Sequence, residues 1–173
     1  MSSFKSLMNH VKAFAFDVDG VFTDGQVYLF PKEDFVRAVN IKDGYAIQHC
    51  IKMGYPVAII SGGKSDQVAK RFQKLGVTDI YLGASNKLDM YEDFRMKYQL
   101  ENSNILFMGD DIPDYEIMQK VGIPTCPADA ANEIKEIAVY ISDKGGGKGC
   151  VRDVVEQVMR LHKKWMDKNA FEW

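Results

Sequence analysis

The run Val11-Lys12-Ala13-Phe14-Ala15-Phe16 breaks off into Asp17-Val18-Asp19-Gly20, and no other stretch constrains the fold as much. A short, aromatic, apolar run closed by a turn signal reads as a buried strand. Two carboxylates one residue apart at its carboxyl end stand where open α/β sheets bind their ligands. They repel each other unless a cation or a shared proton compensates. Folding has no use for that repulsion, so the pair points to chemistry.

The design recurs along the chain. Ile105-Leu106-Phe107-Met108 runs into Gly109-Asp110-Asp111-Ile112-Pro113-Asp114, and Val57-Ala58-Ile59-Ile60 ends in Ser61-Gly62. Ser85-Asn86-Lys87 places a lysine at the opening of a helical segment. In order, these positions carry Asp-x-Asp, Ser, Lys and Asp-Asp. Acids to hold a metal, with a hydroxyl and a lysine to hold an anion, make a phosphoryl-transfer set. Each residue also has a plainer reading. Ser61 suits a helix N-cap, Lys87 an exposed helix position, Asp114 the start of a helix, and Arg71 a solvated helix face.

Hydrophobic periodicity predicts strands near 12–17, 56–60, 79–82, 105–109, 123–126 and 138–141. Helices are predicted over about 64–75, 87–99, 114–121, 130–137 and 150–165, with a further one following Asp43 until Gly54 and Pro56 stop it. The alternation predicts a doubly wound, Rossmann-like α/β fold, a parallel sheet with helices on both faces. Residues of about 25–39 form two β-prone arms around Pro31-Lys32-Glu33-Asp34, the signature of an inserted β-hairpin. Lying beside the acid pair, it suits a flap or a contact surface. Gly145-Gly146-Gly147-Lys148-Gly149 reads as flexible, and Gly149 stands where a Walker loop needs Ser or Thr. The tail from Trp165 to Trp173 either frays or docks.

The chain's 173 residues suit one domain with a full core. With 22 basic and 24 acidic side chains, net charge -2, no basic face is predicted and nucleic acid is not an expected partner. Cys50, Cys126 and Cys150 have neither zinc nor disulfide spacing and read as reduced thiols. His10, His49 and His162 show no ligand spacing and read as structural or surface residues. No run approaches the ~18 apolar residues of a membrane span, and Lys12 and Asp17 cut the first apolar run short of a signal peptide. A cytoplasmic protein is the expectation.

Taken together, Asp17-Val18-Asp19-Gly20-Val21, Asn40-Ile41-Lys42-Asp43-Gly44-Tyr45, Ser85-Asn86-Lys87-Leu88, Gly109-Asp110-Asp111-Ile112-Pro113-Asp114 and Gly146-Gly147-Lys148-Gly149 resemble the haloacid dehalogenase-type phosphatases. More narrowly they resemble the capless 3-deoxy-D-manno-octulosonate 8-phosphate phosphatases, from about Ala13 to Val158. The resemblance implies that Asp17 is the nucleophile and Asp19 the general acid and base. It implies Mg2+ held by the Asp17 carboxylate, the Asp19 backbone carbonyl and Asp110, with Asp111 and Asp114 orienting its waters. Ser61, the amides near Gly62 and Lys87 would hold the phosphoryl oxygens. Sugar-binding positions of the family correspond to Asn40, Lys42, Asp43, Gly44, Gln48, Gly63 and Arg71. Some members carry arginine where this chain has Gln48 and Gly63, and Lys64, Lys42 or Arg71 are the candidates to replace them. The family also implies no cap domain, a homotetramer with hairpins meeting at its centre, and a neighbour's tail closing the site.

The activity so implied is hydrolysis of a sugar acid phosphate, a small-molecule substrate, for lipopolysaccharide biosynthesis. A phosphatase for a nine-carbon 2-keto sugar acid 9-phosphate is the nearest rival. A noncatalytic oligomerising module is a rival of another class, which the full set of Asp17, Asp19, Lys87 and Asp110 opposes. A response-regulator receiver shares an acid pair, an acceptor Asp and a Lys, but orders them differently along the chain.

Overall fold

Strand residues that alternate between two faces dictate how this chain is layered. Phe14 and Phe16 pack with Val57, Ile59, Leu106 and Met108 on one side, whereas Ala13 and Ala15 pack with Ala58, Ile60, Ile105 and Phe107 on the other. Both sides are fully buried, so helices must cover both. A computed structural model describes residues 4–31 and 35–172. In it the strands β1 (Ala13–Phe16), β2 (Val57–Ser61), β3 (Asp79–Leu82), β4 (Ile105–Met108), β5 (Ile123–Cys126) and β6 (Tyr140–Ile141) form one sheet in the order β3-β2-β1-β4-β5-β6. Every pairing is parallel. The order reverses at β1, so β1 and β4 flank the crevice where ligands bind in such sheets.

Helices α1 (Phe4–Met8), α2 (Ile41–Lys52), α3 (Asp66–Lys74) and α7 (Cys150–Leu161) supply the core on the Phe14 side. Helices α4 (Lys87–Lys97), α5 (Tyr115–Lys120) and α6 (Asn132–Ile137) supply it on the Ala15 side. Each fully buried aromatic, such as Phe107, contributes about 1.5–3 kcal/mol of transfer free energy. Among the described residues no second domain stands over the carboxyl end of the sheet, and no helix is long and apolar enough to cross a membrane.

Several sequence expectations are corrected. Helix α2 starts before Asp43: the Asn40 side chain accepts from Lys42 N at 2.8 Å and caps it. Asp43 instead lies fully buried in the first turn. Helix α7 ends at Leu161, and α1 was not foreseen, having only five residues. The glycine run is packed rather than loose. Gly147 N donates to Val21 O at 2.9 Å, and a Cβ on Gly146 would stand 2.1 Å from Gly20 O, so only glycine lets this loop back the acid-pair turn. Of the expected hairpin, the described residues show an isolated antiparallel bridge, Tyr28 with Val36, and Lys32, Glu33 and Asp34 lie outside the described residues. The tail docks on α2: Trp165 is buried and its carbonyl accepts from His49 Nε2 at 2.9 Å, while Tyr45 Oη donates to Ala170 O.

Candidate active site

Past its last paired residue β1 keeps its pleat, because Asp17 N still donates to Met108 O at 3.0 Å. The alternation therefore sends the Asp17 side chain to the α4 and α5 side, opposite Phe16. There Lys87 Nζ stands 3.0 Å from Asp17 Oδ2 and 2.8 Å from Asp114 Oδ1. Lys87 opens α4 behind an Asn86 cap, which aims its stem back toward the sheet. Asp114 is reached from β4 through a 3₁₀ turn, Ile112–Asp114, and its second oxygen accepts from Asp110 N at 3.0 Å. The lysine thus bridges two buried acids from different strand ends.

The turn after Asp17 is wound tightly by short-range bonds. Val18 O accepts from the amides of Val21, Phe22 and Thr23, and the buried Thr23 hydroxyl accepts from Gly20 N and Gly25 N at 3.2 Å each. Gly20 has φ +85°, and a Cβ there would fall 1.9 Å from Asp110 Oδ2. The missing side chain is what lets the Asp110 carboxylate lean against the turn. Asp17, Asp110 and Asp114 consequently each offer an oxygen within 4.8 Å of the others.

Three acids and one lysine leave negative charge in excess, and the proton affinities reflect it. Burial, together with the Asp114 charge, pushes Asp17 up to about 8 against the pull of Lys87. Burial and the same neighbour push Asp110 up to about 7, and burial raises Asp114 despite Lys87. Burial alone would lower the Lys87 ammonium, but the charges of Asp114 and Asp17 outweigh it and hold Lys87 above its ordinary range. Asp17 Oδ1 is buried with no hydrogen-bond partner. A buried oxygen of that kind calls for a cation or a proton.

A cleft of about 330 Å³ opens over these groups, lined by Asp17, Asp19, Ser61, Gly62, Lys87 and Asp110 among others. Ser61 ends β2, and its Oγ accepts from Gly63 N at 3.2 Å, leaving the hydroxyl proton to be given to a ligand. It is not a helix cap; Ser65 caps α3. Asp111 borders the cleft but is exposed, and its Oδ1 accepts from Ile112 N at 2.8 Å.

Asp19 borders the cleft as well, with its carboxylate held by the inserted segment. Its two oxygens accept from the Arg37 guanidinium, Nε to Oδ1 at 2.6 Å and Nη2 to Oδ2 at 3.0 Å. Arg37 sits on the second arm of the inserted segment and carried no signal in the sequence beyond a lone cation among apolar neighbours. Thr23 was also missed; a hydroxyl between two glycines is its only mark.

The expected sugar-binding set is not gathered at this cleft, Gly62 and Gly63 excepted. Asn40 caps α2 and donates from Nδ2 to Gly147 O at 3.2 Å. Lys42 is exposed on a polar groove beside Lys148 and Arg152. Asp43 Oδ1 accepts from Arg152 N at 2.8 Å, so this carboxylate serves the first turn of α7. Gly44 makes room for the Arg71 guanidinium, which would lie 2.6 Å from a Cβ there. Lys64 lays its stem over Gly83. Helix-start geometry thus claims Asn40, and long-range packing claims Asp43 and Arg71.

Residues 76–151 match the family model of haloacid dehalogenase-like hydrolases. The chain is 35% identical over 155 residues to the 3-deoxy-D-manno-octulosonate 8-phosphate phosphatase of Escherichia coli K12, covering 90% of this chain and 82% of that one. Its fold is similar to the solved phosphatase of that name from Yersinia pestis, with TM-score 0.90, 31% identity, and 93% and 87% of the two chains covered. It is also similar to the Moraxella catarrhalis phosphatase in complex with magnesium ion, phosphate ion and KDO, with TM-score 0.87, 30% identity and 91% of each chain covered.

Proposed function

We propose, since this chain belongs to the 3-deoxy-D-manno-octulosonate 8-phosphate phosphatase family of haloacid dehalogenase-like hydrolases, that it is a magnesium-dependent phosphatase acting on that sugar acid phosphate. The observation that carries the reading is the buried triangle of Asp17, Lys87 and Asp114 beneath an open cleft. Asp17 would attack phosphorus in line, giving an aspartyl-phosphate and releasing the sugar alcohol. Asp19 would give a proton to the leaving oxygen, then take one from the water that cleaves the intermediate. Lys87 Nζ, the Ser61 hydroxyl and the Gly62 amide would hold the phosphoryl oxygens.

A divalent cation fits the acids. Asp17 Oδ1 lacks a partner, and Asp110 and Asp114 bring further oxygens beside it. Asp17, Asp110 and the Asp19 carbonyl would hold Mg2+, while Asp114 keeps Lys87 and the Asp110 amide in place and Asp111 borders the cleft to orient water. The ion would supply Lewis-acid charge neutralisation at the phosphoryl group.

The test is phosphate release over a panel of sugar phosphates with Mg2+, where the eight-carbon acid should give the highest catalytic efficiency. Chelation should abolish turnover. Because Asp17 near 8 and Asp110 near 7 must shed protons to bind metal, the Mg2+ needed for half-activity should fall about tenfold or more from pH 6 to pH 8. Preference for a nine-carbon acid phosphate would reassign the substrate, and activity in metal-free buffer would remove the metal from the reading.

The assembly we propose is a homotetramer. Tyr28, Leu29, Phe30 and Phe35 are 57%, 72%, 53% and 54% exposed on arms that, among the described residues, are joined by one bridge. Such a patch on a marginal ribbon is best covered by a second copy. Sedimentation at micromolar concentration should give a tetramer; an active monomer would contradict this.

A further inference from the structure

Two motifs stand outside the catalysis assigned above: Asn40-Ile41-Lys42-Asp43 at the start of α2, and the glycine run 145–149 that leads into α7. The structure joins them. Gly149 occupies the N-cap position of α7 at φ +107° and makes no side-chain cap. A capping oxygen normally comes from that residue and reaches the second or third helical amide. Here Asp43 supplies it, its Oδ1 accepting from Arg152 N at 2.8 Å. A buried carboxylate there also suits the positive end of the α7 dipole. Three residues before it, Asn40 divides its amide between two tasks. Oδ1 caps α2 through Lys42 N at 2.8 Å, and Nδ2 donates to Gly147 O at 3.2 Å.

The loop so held lies directly behind the acid-pair turn. Val21 O accepts from Gly147 N at 2.9 Å and from the Cys150 thiol at 3.2 Å. Gly146 packs so close that a Cβ on it would stand 2.6 Å from Thr23 O. That turn carries the Asp19 carbonyl and the Gly20 surface on which Asp110 leans. A segment with glycine at four of its five positions keeps wide conformational freedom, so it cannot hold this shape unaided. The first turn of α2 supplies the rigidity it lacks.

We propose, resting on the phosphatase reading above, that Asn40 and Asp43 are positioning residues for the acid-pair turn and not contacts for the sugar. They clamp the glycine loop onto that turn, and the turn in consequence keeps the Asp19 carbonyl and Asp110 in place for Mg2+.

The deciding variant is Asn40→Asp, which keeps an oxygen to cap α2 and loses the donor to Gly147. On 3-deoxy-octulosonate 8-phosphate its kcat should fall about tenfold, the scale of one hydrogen bond, with KM within about twofold of wild type. Calorimetry with Mg2+ alone should show Kd raised about tenfold. The Val21, Phe22 and Thr23 amides, all bonded to Val18 O, should exchange with D2O about tenfold faster. The melting temperature should fall by no more than about 4 °C. Asp43→Ala should show the same pattern more strongly, and Asp43→Asn, which keeps an acceptor for Arg152 N, should recover part of it. A raised KM with kcat and exchange unchanged would place both residues at the sugar and overturn the proposal. Unchanged exchange and Mg2+ affinity in Asn40→Asp would overturn it as well. If wild type hydrolyses no sugar phosphate, the phosphatase reading fails, and the exchange measurement still decides the clamp.

Discussion

Asp17→Asn is expected to lose turnover by about 10⁴-fold or more, about 5 kcal/mol of barrier, while its metal-free form melts higher than wild type above pH 7. The first effect follows from removing the nucleophile without changing side-chain shape. The second follows from linkage. Asp17 holds its proton up to about 8 in the folded chain against 3.8 as its ordinary value, with burial as the main cause. A folded pKa above the unfolded one means stability that is present below the unfolded pKa and lost as pH rises through the folded one. Asparagine carries no such penalty. Its advantage should be absent near pH 4 and grow to on the order of 1 kcal/mol or more by pH 8. Thermal melts in chelator across that range, beside phosphate-release assays, check both halves. Turnover within tenfold of wild type would remove Asp17 from its role, and a lower melting temperature at pH 8 would remove the electrostatic account.

Lys87→Met is expected to damage both fold and function. The lysine is the bridge between Asp17 and Asp114, which are 6% and 0% exposed. Without it two buried acids face each other with no cation, and breaking a buried pair this way costs about 3–5 kcal/mol. The deficit should depend on pH in a definite direction. At pH 5 the two acids can keep protons, since burial already raises both; toward pH 8 they must ionise unpaired or hold a proton at growing cost. Urea unfolding in chelator should therefore give a smaller loss at pH 5 than at pH 8. Turnover should fall about 10³-fold from losing a donor to the phosphoryl oxygens. A deficit equal at the two pH values would mean that the triangle is not electrostatically coupled.

The reach of the sequence can be judged residue by residue. Asp17, Ser61, Lys87 and Asp110 were legible because each follows a buried apolar run, or opens a helix after one, and a parallel sheet delivers all such positions to one edge. Asp114 was legible as a helix-start acid and, through the family resemblance, as a group orienting metal-bound water, but nothing in its spacing says that it will meet Lys87, 27 residues earlier. Asp43 misled because an acid near a helix start looks like a cap, while its carboxylate in fact meets Arg152 N, 109 residues away. Arg37 gave no sign at all: its partner is 18 residues back, and an inserted arm has no periodicity to say which way its one cation turns.

Local pattern by itself determined the strands, the doubly wound order of strand and helix, and the acids and lysine at the strand ends, because apolar period and turn chemistry act over a few residues. Tertiary structure alone decided which of those charges pair, why the glycine run must be glycine, and that Arg37 locks Asp19. These depend on distances between segments far apart in the chain, and such distances exist only once the sheet has brought the segments together.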